Sequence, residues 1–294
     1  MPKRTKSPDL QKWRRFAQDG SLLGAIGNRV RHRIHGAPAF AGKVQSTCDQ
    51  DVIVASYNVH KCVGIDNKFD PKRIAAVIAE LGADVVAVQE ADQRFGKRHG
   101  LLDLNALKRN AGLELVPVAG SDEGHGWHGN ALLLREGQAR RIRRLDLPGA
   151  EPRGAIIVDL ELASGPLRII ATHLGLLRRS RGLQVETIIE AFMQSEAMPT
   201  LLLGDLNEWR PGHRSSLHGL RPVFGPLPGG LPSFPSRMPL LALDRVIGSP
   251  GLVTALEVHE TPLSRIASDH LPLKAQIRIA NALEHSVEAQ AAAG

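Results

Sequence analysis

Leu201-Leu202-Leu203-Gly204-Asp205-Leu206-Asn207-Glu208-Trp209 carries an apolar stretch of strand type straight into two side chains able to bind a cation or polarise water. A strand end that borders a loop is where a rigid scaffold presents reactive groups to solvent. Working outward, the same arrangement recurs. Asp51–Val59 reads as a strand that closes on Asn58, and the run Val85-Val86-Ala87-Val88-Gln89 closes on Glu90. Leu167–Thr172 closes on His173, and Asp269-His270 stands just before a last strand at Leu271–Ile279. Taken singly, each of these is as readily a turn residue or a solvated strand terminus; only Asp205 resists that reading.

The elements between these strands follow from local chemistry. Asp70-Pro71 supplies an N-cap and an N1 proline, Ile74, Val77, Ile78 and Leu81 follow at helical spacing, and Gly82 ends the run. Leu101–Asn110 and Arg181–Ser195 are predicted helices; Asn130–Leu134, Ala155–Leu162, Thr200–Leu203 and Leu243–Ile247 are predicted strands. Gly219–Pro239 is dense in Gly and Pro and is expected to be a long loop bordering a site. Strands outnumber helices and fall in two groups, which implies two packed sheets with helices outside.

Charge sorts the chain into segments. Residues 1–43 hold ten Lys or Arg against two Asp, whereas residues 44–294 hold 27 Lys or Arg against 28 Asp or Glu. The body is nearly neutral, so its net charge gives no argument for nucleic-acid binding. Residues 1–46 are expected to form a basic extension, 47–281 the catalytic domain and 282–294 a tail. Within the extension, the spacing of Leu10, Trp13 and Phe16 is that of one side of a short helix expected over Pro8–Gln18. That arm is the candidate contact with nucleic acid or an anionic membrane, or else only a solubilising tail. Two cysteines, Cys48 and Cys62, exclude a disulfide framework. No apolar run reaches the ~20 residues of a membrane span, and no secretory signal is evident. The expectation is a cytoplasmic monomer, at most peripheral to the membrane.

Oxygen donors from Asp, Glu and Asn suit Mg²⁺ or Mn²⁺, which keep several waters and bind phosphate oxygens. A zinc site is a poorer match, with two cysteines and no helical His-x-x-x-His pair. Neutral histidines beside such an ion act as bases or hold a phosphoryl oxygen.

Taken in order, SYNVHK at 56–61, VVAVQE at 85–90, GNALLLR at 129–135, ATHLG at 171–175, LLLGDLNEW at 201–209, LDRV at 243–246 and SDHLPL at 268–273 resemble the motifs of the endonuclease/exonuclease/phosphatase superfamily. The resemblance spans roughly residues 50–280. It implies a four-layered α/β/β/α sandwich, two mixed sheets packed together with helices outside, and hydrolysis of a phosphate ester by in-line attack of an activated water. It further implies Glu90 as principal metal carboxylate, with Asn58 and Asp269 beside the ion. Asp205 and Asn207 would hold the water, His270 would serve as base or phosphate-polarising imidazole, Asp244 would orient its ring, and His173 would donate to a phosphate oxygen. Asn130 would line the pocket.

The cast is most like small bacterial metal-dependent hydrolases. Thr172-His173-Leu174 stands where repair-type members of the family carry a tyrosine, and His60 where they tend to carry an acid, which argues against an abasic-site endonuclease. Arg178, Arg179, Arg181 and Gln184 open a helix that either presents guanidinium groups to an anionic substrate, Arg181 first among them, or is merely a solvated basic start. Aromatics make up 4% of the chain, too few for a base-stacking platform. The leading expectation is therefore a metal-dependent phosphodiesterase. A DNA endonuclease and a non-catalytic binding protein for nucleic acid or membrane are the alternatives.

Overall fold

The computed structural model describes Gly42 and residues 51–283, apart from Phe95 and Pro211. The basic arm, where a helix over Pro8–Gln18 is expected, and most of the C-terminal tail lie outside the described residues. The strands are β1 (Asp51–Asn58), β2 (Val85–Gln89), β3 (Glu114–Leu115), β4 (Ala131–Leu134), β5 (Gln138–Leu147), β6 (Arg153–Leu162), β7 (Gly165–His173), β8 (Thr200–Asp205), β9 (Asp244–Gly248), β10 (Val253–Val258) and β11 (Leu273–Arg278). The helices are α1 (Pro71–Glu80), α2 (Leu104–Ala111), α3 (Arg178–Met193) and the single turns α4 (Arg221–Phe224) and α5 (Ser264–Ala267). Among the described residues, no helix is long and apolar enough to cross a membrane.

Two sheets form, in the orders β10-β11-β1-β2-β4-β3 and β5-β6-β7-β8-β9. Alternation along each strand decides what each face buries, because successive side chains point to opposite sides. In β1, Val52 and Val54 face the second sheet and pack with Ile156, Val158, Ile169, Leu201 and Leu203. Ile53, Ala55 and Tyr57 face the other way, onto Ile74, Val77 and Ile78 of α1 and Leu107 of α2. The second sheet repeats the scheme, with Ile157, Ile170 and Leu202 packed on Val185 and Ile188 of α3. The result is the four-layered α/β/β/α sandwich. Truncating a central contact such as Leu203 to Ala would cost about 2–5 kcal/mol.

Both sheets deliver strand ends to one edge. β1 and β2 pair in parallel with Asn58 opposite Gln89, and β7 and β8 pair in parallel with His173 opposite Asp205. Asp244, first in β9, lies opposite Asp205, while β11 runs antiparallel to β1, so the Asp269-His270 turn before it arrives at the same edge. Gly204 makes the close approach of β8 to β7 possible. Its φ is +145°, and a Cβ there would lie 1.8 Å from the Thr172 carbonyl oxygen, so only glycine fits directly ahead of Asp205.

Local signals placed most elements within a few residues. Asp70 caps α1 by accepting from Arg73 N at 3.0 Å. The helix expected from Leu101 begins at Leu104, because Asp103 caps it through Ala106 N at 2.9 Å. β3, β5 and β10 are absent from the strands expected above. β5 reads QARRIRRLDL and lies at a sheet edge, where arginines replace the apolar alternation that marks a half-buried strand. The expected loop at Gly219–Pro239 contains α4 and the end of a 3₁₀ turn at Ser216–Leu220.

Candidate active site

One carboxylate oxygen, Oδ2 of Asp205, gathers the site. Asn58 Nδ2 donates to it across the sheet–sheet interface at 3.0 Å, His173 Nε2 lies 3.3 Å away and His270 Nε2 lies 3.7 Å away. Its Oδ1 accepts from Asn207 N at 3.0 Å. His270 is fixed from behind, since its Nδ1 donates to Asp244 Oδ2 at 2.9 Å. Ser233 Oγ donates to that same Asp244 oxygen, and the Phe234 ring packs 4.8 Å from the His270 ring. Asn58, His173, Asp205, Asp244 and His270 are all buried. Asp205, Asp244 and His270 present ligand atoms within 4.8 Å of one another, close enough to hold one ion.

The electrostatics follow from burial and these neighbours. Burial, with Asp244 adding, pushes the Asp205 carboxyl up to about 6. Burial opposes charge on His270, but Asp244, Asp205 and Asp269 outweigh it and raise the imidazole to about 10. His173 goes the other way: burial first, then Arg153, His270, Lys61 and Arg94, hold it well below the ordinary imidazole value. The two histidines are therefore pushed in opposite directions, His270 toward its charged form and His173 toward its neutral one.

The other wall of the cleft is more open. Glu90 follows β2 with φ +59°, and Lys61, with φ +56°, places its ammonium on Glu90 Oε2. Their side chains are 22% and 37% exposed. Asp269 accepts from Ser268 Oγ at 3.5 Å and lies 3.8 Å from His60 Nδ1, while Asn58 Oδ1 accepts from His60 N at 3.0 Å. Asn207 Nδ2 donates to Leu174 O at 2.9 Å. Glu90, Asn58 and Asp269 are thus at the cleft but do not form the tight three-residue group, which is Asp205, Asp244 and His270.

Two expected substrate contacts are corrected. Arg181 is 2% exposed and faces inward, where Nη2 donates to Glu208 Oε2 at 3.1 Å and Nη1 to the Gly175 and Leu176 carbonyls at 3.1 and 2.7 Å. It ties the loop after β7 to the loop after β8, because a buried guanidinium must satisfy its donors. Asn130 does not line the pocket. It is fully buried, and its Nδ2 donates to Trp127 O and Gly154 O at 3.1 and 3.0 Å, clasping the two sheets together.

Sequence reasoning missed Lys61 as a partner of Glu90, and missed Ser233 and Phe234. Lys61 was visible as the end of the NVHK run; Ser233 and Phe234 lie in a Gly/Pro segment where nothing marks one residue over the next.

The sequence model of the Endonuclease/Exonuclease/phosphatase family matches residues 55–270, which takes in every group just described. The chain belongs to this family. Within it, YbhP of Escherichia coli is 31% identical over 245 residues, covering 77% of this chain and 96% of YbhP. Among solved structures, an endonuclease/exonuclease/phosphatase of Beutenbergia cavernae superposes with a TM-score of 0.57 at 22% identity over 78% of this chain and 72% of that one. A mannosyl-6-phosphatase of Bacteroides thetaiotaomicron gives 0.59 at 16% identity, over 77% and 99%. D. rerio TDP2, solved with a single strand DNA product, gives 0.56 at 18% identity, over 78% and 99%. At these identities the superpositions establish the shared sandwich fold, and the family assignment makes the chain one of a group of phosphoesterases.

Proposed function

We propose that the chain hydrolyses phosphate esters, with phosphodiesters as the substrate class, by in-line attack of a water held at Asp205. The convergence of Asn58, His173 and His270 on one buried carboxylate oxygen carries this reading. Burying that many ionisable groups together costs more stability than it returns, so the arrangement points to chemistry. Asp205, raised to about 6, is matched to taking a proton from water near neutral pH. His270 holds its proton on the side facing the cleft, where it can donate to a phosphoryl or leaving oxygen, and Asp244 fixes the ring. Neutral His173 donates to a further phosphoryl oxygen, and Asn207 borders the water.

A divalent cation fits the open wall, because Glu90 already carries a cation, the Lys61 ammonium. Glu90 would hold Mg²⁺ or Mn²⁺ with Asn58 and Asp269 beside it, and the ion would neutralise charge gathering on the phosphoryl oxygens. The Asp205–Asp244–His270 group suits an ion less well: Nδ1 of His270 is committed to Asp244, and that carboxylate also takes Ser233. All of these groups come from one chain, so a monomer suffices.

The near-neutral charge of residues 44–294 favours a small ester over a long polyanion for the body itself. The relatives bracket that choice, one being a mannosyl-6-phosphatase and another having been solved with a DNA product. Purified protein with Mg²⁺ or Mn²⁺ should hydrolyse bis-p-nitrophenyl phosphate, and comparison with plasmid DNA, abasic duplex and phospholipid ranks the natural classes. Hydrolysis in none of these arms rules the reading out.

A further inference from the structure

Arg94 and Arg153 come from opposite halves of the sandwich and meet on one carboxylate. Arg153 opens β6, and the antiparallel pairing of Ala155 with Thr172 sets it beside the His173 end of β7. Its Nη2 donates to Glu151 Oε2 at 2.8 Å, and Arg94 Nη2, from the loop after Glu90, reaches the same oxygen at 3.4 Å. Glu151 Oε1 accepts from Leu176 N at 3.0 Å, which ties the carboxylate to the loop following His173. The Arg153 side chain is 12% exposed, and its buried Nε has no partner among the described residues. Arg94 is 50% exposed and lines, with Lys61, Phe69, Gln93 and Leu101, a cavity of about 630 Å³.

Two guanidinium groups share the Glu151 carboxylate at the cleft, with the Lys61 ammonium on Glu90 beside them. Their positive charges reach the site, where Arg153, Lys61 and Arg94 add to burial in lowering the His173 imidazole. Planar guanidinium donors held by an acid suit a phosphoryl group, which offers several oxygens to a fork of N–H donors.

We propose that Arg94 and Arg153 form a subsite for a second phosphoryl group, carried on the same sugar or polyol as the phosphate ester held at Asp205 and His270. This rests on the phosphate-ester reading of that site. The test is calorimetric titration of the full chain without divalent cation, so that nothing turns over. Thymidine phosphorylated on both sugar hydroxyls is compared with thymidine monophosphate, and glycerol bisphosphate with glycerol phosphate. At least one bisphosphate should bind about tenfold tighter than its monophosphate, the effect of one charge-assisted phosphate contact. A preference confined to the thymidine pair assigns a nucleotide source, and one confined to the glycerol pair a polyol source. Arg94→Gln should bring the ratio close to one, and Arg153→Lys, which keeps the charge but loses the fork, should lower it in part. No binding of either bisphosphate, a wild-type ratio near one, or an unchanged ratio in folded Arg94→Gln overturns the subsite. A bisphosphate preference without ester hydrolysis under Mg²⁺ or Mn²⁺ leaves the subsite standing and removes the hydrolase reading; hydrolysis without preference does the reverse.

Discussion

The two walls of the cleft are built on different terms. On one wall, His173, Asp205, Asp244 and His270 are buried and held by one another, so their geometry is set before any substrate arrives. On the other wall, Glu90 and Lys61 sit in left-handed backbone, partly exposed, and satisfy each other's charge. Preorganised groups can stabilise developing charge without first rearranging. A wall that pairs its own charges instead must exchange partners when a cation binds. The contrast teaches that the buried groups are held in place by the chain alone, whereas Lys61 and Glu90 would have to part before either could take another partner.

The strongest way to break that contrast is chelation. EDTA should abolish ester turnover and Mg²⁺ or Mn²⁺ should restore it, while the thermal melting of the protein barely moves, because the buried wall needs no ion. Full activity in a metal-stripped sample would remove the dependence of the open wall. Next, His270→Ala and Asp205→Asn should each lower kcat by about 10² or more, the effect of losing a positioned acid–base group. Asp244→Asn should do less damage, since it acts through the imidazole. Circular dichroism should show all three folded; activity retained in folded His270→Ala would assign the proton handling elsewhere.

Stability separates a third set of residues from both walls. Arg181→Met removes the buried guanidinium partner of Glu208, and should cost about 3 kcal/mol in denaturant unfolding, as breaking a buried ion pair does, with KM little changed. Glu208 also sets a pH signature. Burial pushes its carboxyl up, but hydrogen bonds from Ser216 and Arg210 and the charge of Arg181 prevail and hold it below its ordinary value of 4.5. Its contribution is therefore present above that value and lost as pH falls through the lower folded one. Glu208→Gln should be less stable than wild type at neutral pH, with the gap closing in acid; a gap independent of pH would deny the carboxylate this role.

Smaller effects probe the open wall and the arm. Lys61→Met frees Glu90, and should tighten Mn²⁺ binding by about threefold in calorimetry, as expected for a part-exposed ion pair worth under ~1 kcal/mol. Weaker binding would make Lys61 a helper of the ion rather than its rival. Deleting residues 1–46 should leave turnover of a small ester unchanged and reduce salt-sensitive retention on anionic vesicles, the target that Trp13 and Phe16 beside Arg14 and Arg15 favour. Equal retention would make the arm a solubilising tail.

The sequence by itself determined the layers and singled out most of the residues that meet at the cleft. Period-two alternation in Val52–Tyr57 and the Asp70-Pro71 start of α1 are local signals, written within a few residues of where they act. Asn58, Glu90, His173, Asp205 and His270 were legible because each ends or precedes an apolar run, and because their order matches a known family. Only the tertiary structure decided which way the long side chains face. Arg181 and Arg153 are equally basic in sequence, yet one is spent on Glu208 inside the fold and the other stands at the cleft beside Glu151. The pairing of Lys61 with Glu90 and the clasp of Asn130 on Gly154 are likewise contacts between separate segments, 29 and 24 residues apart, and Ser233 supports Asp244 across a loop of 11. Such contacts depend on register and packing between sheets, and neither is encoded in the neighbourhood of any one residue.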